Sequence, residues 1–169
     1  MSFKHVFISF AIAILPVTVK ADPTITVTGQ VVASPCTVDA NTVTQTIDLG
    51  QDTKQHLLAA GDGGKWADFD LNVTNCPAGT SSVTAKLTGT ADSQDSSAWK
   101  NSGTSGNIAL RVTSRDHNAI YSVNSAVQVK VDTATRSATF PLSARMFTPT
   151  GNATAGTFLS VMSVDFTYQ

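Results

Sequence analysis

Apolar and polar side chains alternate along most of this 169-residue chain. Runs rich in Thr, Val, Ile and Phe are separated by Gly, Asn, Asp, Ser and Pro, as in short strands joined by turns. No segment keeps a 3.6-residue period, and Leu57–Ala60 could form one helical turn at most. The pattern predicts these strands: Thr24–Val32, Thr44–Leu49, Ala67–Thr74, Ser82–Gly89, Asn107–Thr113, Val127–Val131, Ser137–Met146 and Thr157–Tyr168.

Seven or eight short strands at this spacing indicate an all-β sandwich of immunoglobulin type. The length fits one domain, and we find no internal repeat. The acidic residues agree with a strand-and-turn protein, because all twelve are Asp and none is Glu. Glu favours helices, whereas Asp favours turns and caps.

The first residues have the features of a leader. Lys4 supplies a positive charge, Val6–Val19 is mostly apolar, and small or modest residues precede a cleavage site after Ala21. The apolar run is too short to span a bilayer. The alternative is an anchor that stays attached, but Pro16 would break its helix near the end. We expect residues 1–21 to be a signal peptide and the mature chain to begin at Asp22.

The mature chain would carry nine of the eleven basic residues against twelve acidic ones. It has no basic patch, so we expect no nucleic-acid partner. Export to an oxidising compartment favours a disulfide between Cys36 and Cys76, with two buried free thiols as the alternative. Such a loop could stabilise the fold by roughly 3–4 kcal/mol. A metal site is less favoured, because the cysteines are not clustered and only His56 and His117 could join them.

Both ends of the mature chain are amphipathic strands. Near the start, one face carries apolar residues and Gly while the other carries Thr and Gln. The first of these faces consists of Pro23, Ile25, Val27, Gly29 and Val31. An ordinary first strand, packed on its own domain, would show the same pattern. At the other end, one face carries Phe158, Ser160, Met162, Val164, Phe166 and Tyr168.

These ends lie within a wider resemblance that covers essentially all of the mature chain. The matching features are Thr24–Val38 with its cysteine, Asn75-Cys76-Pro77, a penultimate Tyr168, and Gly156 fourteenth from the end. Together they resemble the pilins of chaperone–usher fimbriae, and most closely the minor tip-adaptor subunits of type 1 fimbriae.

The resemblance implies an incomplete immunoglobulin-like β-sandwich that lacks its last strand, which is completed by a donor strand from another subunit. Residues 34–169 would form the pilin domain and residues 22–33 a donor-strand extension. The donor residues would be Pro23, Ile25, Val27, Gly29 and Val31. The strand beside the open groove, which also meets the chaperone, would carry Gly156, Phe158, Met162, Val164, Phe166 and Tyr168.

The partners implied are a periplasmic chaperone, an outer-membrane usher and adjacent subunits, an adhesin or other pilins. The chain would be exported through the periplasm to a fimbrium on the bacterial surface, with no cofactor. This mode of recognition is strand addition to a sheet edge. Pro23 departs from the family, in which close relatives have a β-branched residue, and it cannot donate a backbone hydrogen bond.

Other functions are less favoured by the sequence. A stand-alone carbohydrate-binding sandwich is the main alternative, with Trp66 and Trp99 as candidate sugar-stacking residues. An enzyme is disfavoured because no Gly-x-Ser-x-Gly motif occurs. The run Gly61–Gly64 followed by Asp68 and Asp70 suggests a calcium loop, but it lacks the EF-hand spacing.

Overall fold

The computed structural model describes residues 28–30 and 35–169. Contacts divide the chain into Met1–Val31 and Val32–Gln169, and all of the regular structure described lies in the second unit. Its elements in chain order are β1 (Thr37–Val38), α1 (Ala40–Val43), a 3-10 turn (Lys54–His56), β2 (Ala67–Thr74), β3 (Ser82–Gly89), β4 (Trp99–Lys100), β5 (Ala109–Ser114), β6 (Ile120–Tyr121), β7 (Ala126–Lys130), β8 (Ala138–Phe147) and β9 (Met162–Tyr168).

The strands form two sheets, and every ladder in the described residues is antiparallel. The larger sheet has the order β1-β2-β8-β5-β4, with β6 also paired to β5. The smaller sheet has the order β7-β3-β9. The predicted all-β sandwich is therefore confirmed.

The core lies between the two sheets and follows the alternation seen in the sequence. On the larger sheet, Phe140 and Leu142 of β8 and Val73 of β2 are almost fully buried. On the smaller sheet, Val83, Ala85 and Leu87 of β3 have no exposed surface. Because side chains alternate across a strand, the intervening residues of β3 face solvent.

The disulfide predicted from the sequence joins Cys36 to Cys76. Cys36 precedes β1 and Cys76 follows β2, and these strands pair with Thr37 opposite Thr74. Both cysteines are buried. The bond therefore fastens the start of the described domain to the end of β2.

The structure matches most of the predicted strands, and β2 and β3 have the predicted bounds. The two-residue strands β1, β4 and β6 were not predicted. A short helix, α1, was not predicted. The Asp39 carboxylate accepts a hydrogen bond from the backbone N–H of Asn41 and caps this helix. The helical turn predicted at Leu57–Ala60 lies three residues earlier in the structure, at Lys54–His56.

Two predicted strands are wrong in part. Residues Thr44–Leu49 form no strand and belong to no ladder within the described chain. The last strand begins at Met162 rather than Thr157, because its partner β3 ends at Gly89, which pairs with Met162. The predicted strand Thr24–Val32 lies outside the described residues except for 28–30, which are exposed. Among the helices described, none has the length and apolar character needed to cross a membrane.

Candidate functional site: the open edge of the last strand

The last strand, β9, has one paired edge and one open edge. Ser82 and Gln169 exchange both backbone hydrogen bonds, at 3.0 and 3.1 Å. In an antiparallel pair, residues that bond the neighbour alternate with residues that do not. The backbone groups of Ser163, Asp165 and Thr167 therefore face β3. Those of Met162, Val164, Phe166 and Tyr168 face away from it, toward an edge on which the described residues place no strand.

The side chains of these outward-bonding residues point into the sandwich but are incompletely covered. Met162, Val164, Phe166 and Tyr168 are half-buried and pack against the core. Three of their four cross-strand partners on β3, Val83, Ala85 and Leu87, are fully buried. Partial burial also raises the pKa of the Tyr168 hydroxyl. The same row of residues thus combines an unsatisfied backbone edge with unfinished apolar packing.

Residues 44–49 also contribute apolar side chains near this open edge. Ile47 and Leu49 are half-buried and pack against the core, while Asp48 between them is exposed. Leu49 and Phe158 also pack against one small cluster of Leu57, Ile108, Met146 and Ala153. The two segments therefore meet at this cluster, and we call the space that they border the groove. The alternation of Ile47 and Leu49 was visible in the sequence, but their place in the groove was not predicted.

The segment that leads into β9 is fixed by a loop rather than by a strand. A Cβ atom on Gly156 would lie 2.7 Å from the carbonyl carbon of Thr104, and one on Gly103 would lie 2.6 Å from that of Thr157. The two glycines therefore allow backbones to approach closely. Backbone hydrogen bonds from Ser105 to Thr157 and from Ser102 to Leu159 hold the segment there. Gly156 is thus a packing residue, which explains its place ahead of the strand.

Ser160 lies on the apolar face predicted for this segment, although no role was predicted for it. Its hydroxyl oxygen is buried and has no hydrogen-bond partner among the described residues. It lies between Phe158 and Met162 in the apolar row. A buried hydroxyl of this kind favours a site that another polar group completes.

The predicted donor residues lie mostly outside the described chain. Pro23, Ile25, Val27 and Val31 are not described, and their role stays a prediction. Gly29 is exposed, and no described residue lies within 4 Å of the position that a Cβ atom would take.

The aromatic and acidic residues considered as other sites have local partners. Trp99 is fully buried and donates its indole N–H to the carbonyl of Thr88. Trp66 stacks on His117 with ring centroids 4.3 Å apart, and the Arg145 guanidinium lies 4.5 Å from its ring centroid. Two side chains of the protein thus already contact the Trp66 ring, and this disfavours a sugar-stacking role.

The three carboxylates of the suspected calcium loop each have a partner within the protein. Asp62 accepts from the backbone of Ala59, Asp68 bonds the hydroxyl of Ser143, and Asp70 pairs with Arg115 at 2.9 Å. No group of three potential metal ligands occurs in the described part of the chain. One surface cleft, lined by residues that include Asp39 and Thr139, is open and polar.

The sandwich fold is shared with solved pilus subunits. The P pilus rod subunit PapA superposes with a TM-score of 0.66 at 23% identity, over 80% of this chain and 100% of that one. A chain from the structure of a chaperone–usher pilus gives the same TM-score and identity, over 92% of this chain and 100% of that one. At this identity, the likeness shows the fold.

Sequence relatives define the family. The model of the fimbrial protein family matches residues 25–169. Protein FimG of Escherichia coli strain K12 is 45% identical over 148 residues, which cover 88% of this chain and 86% of FimG. The S-fimbrial adhesin protein SfaS of Escherichia coli O6:K15:H31 is 35% identical over 148 residues, which cover 87% of this chain and 85% of SfaS.

The chain therefore belongs to the fimbrial protein family. It is a structural subunit that polymerises with adjacent pilins into fimbriae on the cell surface. The family is one of structural proteins and not of enzymes.

Proposed function

We propose that this subunit is a minor tip adaptor that links two neighbours by strand exchange. Its groove accepts a strand, first from a periplasmic chaperone and then, at an outer-membrane usher, from the extension of another subunit. Its own residues 22–33 complete the groove of a third subunit. Such head-to-tail contacts do not close on themselves, so they generate a linear polymer.

One observation carries the acceptor half of this proposal. Met162, Val164, Phe166 and Tyr168 present outward backbone groups and half-covered apolar side chains at the same positions. An added strand would satisfy the backbone groups and cover the side chains together. Left open, such an edge would favour aggregation.

The donor half is supported by the alternation in residues 22–33. Pro23, Ile25, Val27 and Val31 share one face with Gly29. Burying their apolar side chains would contribute on the order of 10 kcal/mol before entropy is subtracted. Each new backbone hydrogen bond would add about 0.5–1.5 kcal/mol.

The position at the tip is supported by the 45% identity to FimG over most of both chains. A subunit with both a donor extension and a groove has one neighbour on each side. This arrangement fits an adaptor between an adhesin and the shaft. Immunogold labelling of an epitope-tagged chain tests the position: we expect label at one end of each fimbria, whereas label along the shaft would identify a rod subunit.

Strand exchange itself is tested by deleting residues 22–32. We expect the deleted protein to be recovered with the chaperone from the periplasm, because its groove is intact. We also expect it to be absent from fimbriae as an internal link, because it has no strand to donate. Incorporation of the deleted chain between two other subunits would contradict the donor assignment.

The acceptor role has its own test. Without chaperone, the subunit should be degraded or should aggregate in the periplasm, and a synthetic donor-strand peptide should raise the melting temperature of the purified domain. A trimmed domain that is a stable monomer with no chaperone and no peptide would show that the sandwich is already complete. That result would favour the alternative of a stand-alone carbohydrate-binding module.

A further inference from the structure

Two large apolar side chains project into solvent just ahead of β9. Leu159 and Val161 are 59% and 67% exposed. They are two residues apart, and exposure alternates along residues 158–162, so they lie on one face. The backbone of Leu159 is held on both sides, because its carbonyl accepts from Ser102 and its N–H donates to the Asn101 side chain. The apolar pair is therefore presented by a fixed backbone.

The direction of strand addition places this pair at one end of the groove. Every ladder in the described domain is antiparallel, so a strand added beside β9 is expected to run antiparallel to it. Its C-terminal end then lies beside Met162, where β9 begins. This step rests on the proposed function, in which the added strand is the extension of another subunit.

The C-terminal end of an extension leads directly into its own pilin domain. In this chain, Val31 is the last apolar donor position and Cys36 is fixed in the domain by its disulfide. Five residue steps span at most about 18 Å when fully extended. A neighbour built in the same way must therefore hold its domain close to the start of β9.

We propose that Leu159 and Val161 form a junction surface that contacts the pilin domain of the subunit whose extension fills the groove. The pair lies on the outer face of the segment, opposite Ser160 and Met162, at the end of the groove where the neighbour's domain is expected. The apolar contact would add to the strand-exchange interface and restrict the angle between consecutive domains. Scattered exposed apolar residues are ordinary on protein surfaces. The other ones described, Val43, Leu58 and Ile120, form no such pair two residues apart.

Hydroxyl-radical footprinting with residue-level mass spectrometry tests this contact. The two samples are fimbriae that contain the chain and the monomer whose groove is filled by a donor-strand peptide. We expect oxidation of Leu159 and Val161 to fall several-fold in fimbriae, while oxidation of Ile120, which is 53% exposed on β6, serves as an internal reference. Equal oxidation of the pair in both samples would overturn the proposal.

A double substitution, Leu159→Ser with Val161→Ser, gives a second test with Ile120→Ser as the matched control. We expect the double variant to bind donor-strand peptide with an unchanged melting temperature but to give fimbriae that break more readily at this subunit under shear. Shear resistance equal to that of Ile120→Ser would overturn the junction surface. A wild-type chain that fails to capture peptide or to enter fimbriae would instead refute the proposed function.

Discussion

The ring of Phe166 on β9 lies against the ring of Phe140 on β8, with centroids 5.7 Å apart and planes tilted by 50°. Phe140 is fully buried, whereas Phe166 is only half-buried. The pair thus joins the finished part of the core to the part that faces the groove. Tilted aromatic contacts of this kind add to the energy of apolar burial.

The two rings should respond differently to truncation. Phe140→Ala should lower the free energy of unfolding by roughly 3–5 kcal/mol, because it opens a cavity in a closed core. Phe166→Ala should cost less in the peptide-free domain but should reduce the stabilisation gained on adding donor-strand peptide. Thermal melts with and without peptide measure both effects. Equal losses for the two variants in peptide-free samples would show that Phe166 already lies in a closed core.

Tyr168 should matter for recovery of the chaperone complex. Its side chain lies opposite the fully buried Val83 and is half-buried at the end of the groove. We expect Tyr168→Ala to lower the yield of periplasmic complex several-fold, because it removes an aromatic side chain from the groove row. The adjacent Thr167→Ala is the control, since Thr167 is exposed on the opposite face of β9. Unchanged yield for Tyr168→Ala would remove this residue from the groove.

Gly156→Ala should destabilise the entry to β9. The new methyl group would clash with the backbone of Thr104 and Ser105, so either the loop or the segment must shift. We expect a loss of roughly 1–3 kcal/mol, as for other overpacked sites, together with weaker binding of donor-strand peptide. Ala155→Ser is the control, because Ala155 is exposed. Wild-type melting of Gly156→Ala would show that the close approach is not needed.

Acid should lower the stability of the domain through Asp95, which pairs with Arg111 of β5 in the larger sheet. Burial raises the pKa of this carboxyl, but hydrogen bonds from Ser97 and the charge of Arg111, whose guanidinium lies 2.6 Å away, outweigh burial and leave the pKa below its ordinary value. A carboxyl with a depressed pKa in the folded state contributes stability above its unfolded pKa. That contribution is lost as the pH falls through the folded value, so the window lies below about pH 4.

Asp95→Asn tests this dependence in the peptide-filled domain. The variant should be less stable at neutral pH and should lose less stability than the wild type between pH 5 and pH 2.5. Arg111→Gln should keep the carboxyl but move its acid transition to higher pH. Denaturant unfolding across this range measures both. A parallel pH profile for Asp95→Asn and the wild type would show that other carboxylates determine the acid response.

The sequence predicted the longer strands that find partners within the described domain, but not the two-residue strands. Strands β2 and β3 have the predicted bounds because their alternation matches buried and exposed faces. Residues 44–49 have the same alternation but form no ladder in the described chain. A pattern of side chains predicts which face is buried, but it does not reveal whether a partner strand is present.

The groove was predicted from the resemblance to a family, but its details do not follow from the sequence. The apolar row on β9 follows from period-two alternation in the sequence. The late start of β9 depends on where β3 ends, at Gly89, and on the contact between the backbones at Gly103 and Gly156. The stacking on Trp66 joins residues from distant segments, Trp66, His117 and Arg145, which no local pattern brings together.

The hydrogen bonds that hold Gln169 have a mechanical consequence. Its carbonyl oxygen accepts hydrogen bonds from the backbone N–H groups of Ser81 and Ser82 and from the Ser81 hydroxyl. In a fimbria joined as proposed, tension along the fibre would slide an inserted strand lengthwise against β9. Hydrogen bonds loaded in this direction share the force. The three donors that hold Gln169 also keep this end of β9 from separating from β3. Rupture would then require many bonds to break together, as suits an appendage under flow.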